Sequence, residues 1–551
     1  MLWILRLILQ WLKLKPIGIM GLKTIKKNQT SFLVISLFTI LFISCKKEDR
    51  QPNIIFFLVD DLGWTDVGCY GSSFYETPNI DALAAEGVRF TSAYAACHVC
   101  SPTRASILTG RYPASINLTD WLPGRRDFPF QKLLNPKINQ HLPYDIQTLP
   151  KVLKENDYQT AILGKWHLGE DSASTAQQGF DLHLPDWNRG WPKNGYYFPY
   201  GMKGLEDGNE GEYLTDRMTS EALKYMEENR DKPFFLYLSH FAVHDPIEGR
   251  PDLVEKYQKK LANIPLPESP PFILEGKPGV ENPISRTDLD KAIEQSEYGG
   301  FKVFPNQTVK IKQHQDNVQF AGMVESVDES LGRVLDKLDE LGIDDQTIVI
   351  FYSDNGGMSA ANFWDPKRVI YKEELDKAYS TSNLPLRGAK GWMYEGGIRV
   401  PLIIKWPGKK LQKAICDVPV TSPDFFPTIL DMVGIRNTEN YDGLSLVPLL
   451  NGDTILNRKA IFWHFPHYSN HGMQSAGGAV RSGDFKLIEY YETGKVQLFN
   501  LKDDIGEQTD LSEIEVEKTT ELKERLHKWR KEIGAQMMQP NPNYDPFIKS
   551  D

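Results

Sequence analysis

Cys100 opens the run Cys100-Ser101-Pro102-Thr103-Arg104, inside Ala96-Cys97-His98-Val99-Cys100 and ahead of Ala105-Ser106-Ile107-Leu108-Thr109-Gly110-Arg111. Ser101 suits a helix N-cap and Pro102 the first helical position. Leu108 and then Gly110 close a short helix. That would put Cys100 at a helix N-terminus, where free N–H groups and the helix dipole favour an anion. Arg104, one turn in, would add a fixed positive charge close to Cys100. Two other readings stand beside this one. Cys97-x-x-Cys100 could be a redox or metal pair, although no second Cys/His cluster follows to complete a zinc site. Cys100 could also be a buried structural residue, as Cys69, Cys97 and Cys416 are read to be. Two oxygen-rich pairs, Asp60-Asp61 and Asp354-Asn355, offer hard ligands for Ca²⁺ or Mg²⁺. Adjacent carboxylates repel unless a cation or solvent intervenes. Alternatively they are solvated loop acids, helix caps and, for Asp-Asn-Gly, a turn. Three further segments carry bases: Gly164-Lys165-Trp166-His167-Leu168-Gly169, Ser239-His240-Phe241-Ala242-Val243-His244-Asp245-Pro246, and Leu386 to Pro401 with Lys390.

Each segment follows, or ends, a run with the texture of a buried strand. Asn53–Val59, Thr160–Leu163, Pro233–Leu238, Thr347–Tyr352 and Val400–Lys405 are unbroken apolar runs, as in strands covered on both faces. Between them, Asn79–Glu86, Thr148–Asn156, Tyr213–Asn229 and Val318–Leu341 have helical spacing, with stops at Gly87 and Gly342. This alternation predicts an α/β fold: a large, mainly parallel sheet sandwiched by helices, with sites at the carboxyl ends of the strands. From residue 458 the texture changes to short strands, Ala460–His464, Gly478–Ser482, Phe485–Tyr490 and Gln497–Asn500, then a helix over Val516–Ile533. The expected organisation is a catalytic domain over 52–457 and a C-terminal α+β subdomain over 458–551, with a small antiparallel sheet and one helix. Glu170–Asn209 and Ile264–Thr308 read as long irregular inserts. Trp187, Trp191, Tyr196, Tyr197, Phe198 and Tyr200, with Arg189 and Lys193, suit stacking and charge pairing on an anionic sugar ring, or simply pack the insert onto its domain.

The Cys-x-Pro-x-Arg run, the Leu-Thr-Gly-Arg helix end, the preceding Thr77-Pro78-Asn79-Ile80-Asp81 and the blocks above resemble the type I, formylglycine-dependent sulfatases of the alkaline phosphatase superfamily, bacterial polysaccharide sulfatases in particular. The likeness extends from Asn53 to about Leu501. It implies that Cys100 is oxidised to formylglycine (3-oxoalanine) by a formylglycine-generating enzyme, and that the aldehyde hydrate attacks sulfur. It implies one Ca²⁺, with Mg²⁺ the second choice, held by Asp60, Asp61, Asp354, Asn355 and the modified Cys100. Arg104, Lys165 and Lys390 would then make a local positive well, in which Lys165 and Lys390 stabilise the sulfuryl oxygens; His167 would assist the formylglycine hydroxyl, and His244 would protonate the leaving oxygen. His240 reads as structural. The substrate expected is a sulfated polysaccharide or its oligosaccharides. Alternative readings are a phosphodiesterase or phosphonate monoester hydrolase of the same superfamily, and a non-catalytic lipoprotein that binds sulfated glycans.

The 551 residues include 41% hydrophobic and 25% charged positions, ordinary globular usage, and the five cysteines exclude a disulfide scaffold. A net charge of −10 gives no support to a nucleic-acid partner. Residues 1–44 hold six basic and no acidic residues and end in the apolar run Phe32–Ile43 before Ser44-Cys45. This has the build of a secretory signal, ordinary if translation starts at Met20. A cysteine after the small residue resembles a bacterial lipoprotein signal, with Cys45 lipidated and 45–51 a charged tether. The expected location is the outer membrane, on its periplasmic or cell-surface face. Alternatives are a soluble periplasmic protein and an uncleaved signal anchor.

Overall fold

The computed structural model describes residues 50–545, except 130, 170–171, 266, 270, 277–307, 361–378, 409–413, 437–439 and 470–474. The signal segment, Cys45 and most of the tether lie outside the described residues. Eight strands make the main sheet: β1 (Asn53–Val59), β2 (Val88–Phe90), β3 (Gln159–Gly164), β4 (Leu182–Leu184), β5 (Phe234–Ser239), β6 (Thr347–Ser353), β7 (Leu402–Lys405) and β8 (Ile415–Cys416). Their spatial order is β8-β2-β7-β6-β1-β5-β3-β4. The half from β6 to β4 is parallel throughout. β7 runs antiparallel to both β6 and β2, so the apolar run near Val400–Lys405 is a strand of opposite sense to the other four. Burial on both faces produces such a run in either direction, and an apolar pattern carries no direction.

β1 shows why the runs are unbroken. Ile55, Phe57 and Val59 enter one core with helices α1 (Pro78–Glu86), α4 (Leu214–Glu228) and α5 (Val318–Leu341). The alternate residues Ile54, Phe56 and Leu58 enter a second core with helices α2 (Cys100–Thr109), α3 (Leu149–Glu155) and α6 (Phe425–Met432). Both faces are therefore dry, and every position from Ile54 to Val59 is apolar. The Asn317 side chain caps α5 by accepting from Gln319 N (3.0 Å) and Phe320 N (3.2 Å). Gly342, at φ 66°, stops the helix in the left-handed region.

Two expectations need correction. α2 begins at Cys100, with Val99 as its N-cap; Ser101 lies inside the first turn, and its hydroxyl accepts from Leu122 N at 3.1 Å. The inserts are also only partly irregular. The first holds a short helix (Ser172–Gln177) and the edge strand β4; in the second, Phe272–Gly276 pairs antiparallel with Thr308–Lys312.

The C-terminal sheet is β9 (Ile461–Phe465), β10 (Gly477–Ser482), β11 (Phe485–Tyr490) and β12 (Val496–Asn500), a simple antiparallel meander. Helix α7 (Val516–Glu532) covers one face through Leu522, Leu526 and Trp529. The other face shares a core with Cys97, Val99, Cys100, Trp392 and Tyr394. From Gln51 onward the chain forms one compact unit.

Candidate active site

Register assembles the site. Val59 pairs with Ser353, Leu58 with Ser239, and Ser239 with Gly164. The residues that follow, Asp60, Asp354, His240 and Lys165, therefore leave the sheet side by side. Lys165 N donates to Ser239 O at 2.7 Å, and Asp61 N donates to Asp354 Oδ1 at 3.2 Å. Asp61 (φ 60°) and His167 (φ 55°) occupy the left-handed region, which few non-glycine residues tolerate without strain and where functional sites concentrate it. Gly356, after Asn355, is packed so closely that a Cβ would stand 1.9 Å from Gly396 O. Its N–H instead donates to Gly397 O at 2.9 Å, tying the loop after β6 to the segment that carries Lys390.

The carboxylates of Asp60, Asp61 and Asp354 offer oxygens within 4.8 Å of one another, all buried. Asn355 Nδ2 donates to Asp61 Oδ1 at 2.7 Å, which leaves Asn355 Oδ1 buried without a hydrogen bond. Asp60 Oδ1 is also buried without one. Two orphaned oxygens beside three buried carboxylates suit a hard divalent cation, since an unpaired buried acceptor is otherwise costly. Burial and the neighbouring Asp354 charge push the Asp60 carboxyl well above the usual range, against Lys165. Burial acts the same way on Asp61, but Lys390, His244 and Lys165 outweigh it and hold that carboxyl low.

Arg104 is engaged by the carboxylate cluster. Its Nε and Nη2 both reach Asp354 Oδ2 at 2.8 Å, and its Nη1 donates to Ser239 Oγ (2.6 Å) and Lys165 O (2.9 Å). The guanidinium thus holds Asp354 in place rather than standing free for an anion. Lys165 Nζ donates to Asp60 Oδ2 at 2.6 Å, and Lys390 Nζ donates to Asp61 Oδ2 at 2.8 Å.

The histidines are oriented by their second nitrogens. His167 Nε2 donates to Leu122 O at 2.7 Å, so in the neutral ring Nδ1 is an acceptor, 3.2 Å from Cys100 Sγ. Burial, with help from Lys165, drives the His167 pKa well below its ordinary value and keeps the ring neutral. His244 Nδ1 is 2.8 Å from both Asp245 O and Asp245 Oδ1, and its Nε2 lies 3.8 Å from Asp61 Oδ2. Burial and Lys390 oppose protonation of His244, yet Asp245, Asp61 and Asp60 raise it to about 9. His240 is buried, its ring tilted against that of Phe57 at 5.0 Å between centroids, with Nε2 3.0 Å from Ser330 Oγ.

The structure thus brings together Cys100, Arg104, Lys165, His167, His244, Lys390, Asp60, Asp61, Asp354 and Asn355. Cys69, Cys97, Cys100 and Cys416 are all free thiols. Three contributors had no role in the sequence reading. Ser239 and Asp245 flank the recognised histidines and could have been suspected from position; Leu122 acts through its carbonyl, which no residue type announces. Of the insert aromatics, Tyr196 and Tyr200 are core residues, and Trp187, Tyr197 and Phe198 pack partly against that core. Packing, not sugar stacking, accounts for Tyr196 and Tyr200.

A family model described as Sulfatase matches residues 52–435, and one described as N-sulphoglucosamine sulphohydrolase, C-terminal, matches 389–533. A protein of Formosa agariphila named Sulfatase is 29% identical over 539 residues, with 85% of each chain covered. N-acetylglucosamine-6-O-sulfatase of Bacteroides thetaiotaomicron is 28% identical over 542 residues, covering 89% of this chain and 88% of its own. The crystal structure of Ps i-CgsB in complex with k-i-k-neocarrahexaose aligns with TM-score 0.63 at 26% identity, over 87% of this chain and 93% of that one.

Proposed function

The chain belongs to the sulfatase family and is a sulfuric ester hydrolase, and from that premise we propose that it removes sulfate from a polysaccharide or its oligosaccharides through a formylglycine made from Cys100. The observation that carries this reading is the convergence of a buried cysteine, an imidazole acceptor 3.2 Å from it and three buried carboxylates at one end of the sheet. Relatives named for an amino-sugar sulfatase and a complex with neocarrahexaose support a glycan substrate.

Asp60, Asp61, Asp354, Asn355 and residue 100 would hold Ca²⁺, which, with Cys100 oxidised by a formylglycine-generating enzyme, would supply a hydroxyl nucleophile of lowered pKa. His167 Nδ1 is placed to take a proton from the group at position 100. Its other nitrogen is tied to Leu122 O and cannot compete. Lys165 and Lys390 bring positive charge to the rim of the carboxylate cluster, where sulfuryl oxygens must sit. Asp245 fixes His244 with Nε2 turned toward Asp61, the orientation from which it gives a proton to the leaving oxygen. Arg104 keeps Asp354 aligned.

The test is turnover by the matured protein on a panel of sulfated oligosaccharides, with matched phosphate esters alongside, and peptide mass spectrometry across Phe90–Arg104. Desulfation with an aldehyde at position 100 is expected. A preference for the phosphate esters would overturn the substrate class, and an unaltered thiol in active protein would overturn the nucleophile. Export is part of the same proposal: the basic-apolar N-terminus and Ser44-Cys45 support a lipid-anchored outer-membrane protein. Among the described residues no helix is long and apolar enough to cross a membrane.

A further inference from the structure

The segment from Trp187 to Tyr200 touches both histidines of the site. Gly190 lies on the His167 ring: a Cβ there would stand 2.8 Å from its Cε1 and 3.1 Å from its Nδ1. Six residues on, the buried Tyr196 hydroxyl donates to His244 O at 2.8 Å. The segment therefore lies against both histidines of the site, pinned at two points. Trp187 stiffens it further. Its Nε1 donates to Trp191 O at 2.6 Å, and Lys193 Nζ lies 5.7 Å from its ring centroid.

Arg189 stands immediately before Gly190. It is exposed and has no ion-pair partner among the described residues. The deeper cations are all committed: Arg104 to Asp354, Lys165 to Asp60 and Lys390 to Asp61. Consecutive Cα atoms are about 3.8 Å apart, so the contact of Gly190 with His167 fixes the root of the Arg189 side chain one residue from that imidazole. A guanidinium so rooted presents a planar fork of donors that matches a sulfate or carboxylate in bidentate fashion. A solvated arginine on an unanchored loop would lack this fixed relation to the reacting group.

We infer that Arg189 reads a second anionic group, a sulfate or a carboxylate, on the glycan whose sulfate ester enters the Cys100 pocket. The enzyme then selects multiply charged sugars. The inference rests on the sulfatase reading and deepens it.

Titration calorimetry on the Cys100→Ala background, which leaves sugars uncut, tests it with three probes. They are D-glucosamine 6-sulfate, D-glucosamine-2-N,6-O-disulfate, and a monosulfated disaccharide with a uronate carboxylate. At least one doubly charged probe should bind about tenfold or more tightly than the singly charged one. The probe that does so identifies the second anion. Adding Arg189→Gln should remove that advantage and Arg189→Lys should keep part of it, because a lysine retains the charge but not the fork. Equal binding of all three probes, binding of none, or an advantage that survives Arg189→Gln overturns the inference. Turnover of 4-methylumbelliferyl sulfate by the matured wild type, run in parallel, separates the two claims. Its absence sinks the sulfatase reading itself, whereas turnover without a charge preference sinks only the role of Arg189.

Discussion

A thiol 3.2 Å from an imidazole nitrogen, whose other nitrogen is bound to a main-chain carbonyl, has one direction in which to lose a proton. Cys100→Ala should therefore lower kcat/KM by about 10³-fold or more while the melting temperature changes little, since the variant loses the nucleophile and only one buried sulfur. Full activity in that variant would exclude position 100 from the chemistry. The cation site has its own signature. Ca²⁺ should raise the melting temperature and chelation should lower both it and the activity, by about 2.7 kcal/mol of stability at a hundredfold excess over Kd. Asn355→Ala should weaken that calcium response, because Asn355 Oδ1 is one of the two orphaned acceptors. A thermal shift indifferent to Ca²⁺ would remove the ion. At this scale the sequence was highly legible. Carboxylates, histidines and lysines placed after buried strands are visible as letters. Leu122 was invisible because its carbonyl does the work, and the commitment of Arg104 to Asp354 depends on a partner 250 positions away.

Asp328, in the middle of α5, shows how elements hold one another. Its carboxylate accepts from Ile80 N at 2.8 Å and Asn79 N at 3.2 Å, capping the start of α1, where the Thr77 side chain makes no cap bond. Asp328→Ala should cost about 1–3 kcal/mol, the usual loss when buried donors are orphaned. Burial raises this carboxyl to about 6, although the bonds from Ile80 and Asn79 pull it down. The sign follows. Between about pH 4, where the unfolded-state carboxyl ionises, and pH 6, the folded protein holds the proton and the unfolded chain does not. The contribution of Asp328 to stability is thus fullest below pH 4, falls as pH rises to 6, and is level above that. Denaturant titrations of wild type and Asp328→Asn across this window should diverge with that slope; parallel curves would refute it. The position of α5 was readable from its apolar spacing and its glycine stop. The reversed direction of β7 was not, since direction is set by the connection and not by hydropathy. The start of α2 was misplaced by two residues because Val99, not a polar side chain, occupies the cap.

Across the whole molecule, the C-terminal sheet is bolted to the catalytic segment by buried charge. Lys486, on β11 and fully buried, lies 3.0 Å from Glu395 Oε1 and 2.9 Å from Glu507 Oε1, while Glu395 N donates to Glu507 Oε2 at 2.6 Å. Glu395 follows Lys390 by five residues. Burial disfavours its charge, but Lys486, Arg399 and Arg481 hold its carboxyl down at about 2. Lys486→Met should destabilise the protein by about 3–5 kcal/mol, as expected when one partner of a buried pair is removed, and lower turnover as well. A denaturation midpoint and kcat both unchanged would show the sheet to be an appendage. Cys100 is only 3% exposed in the finished fold and shares its core with residues as far along as Leu501. On the function proposed above, the enzyme that oxidises Cys100 must therefore meet the polypeptide while it is still open, before the last tenth of the chain has docked, so that oxidation and completion of folding would compete in time.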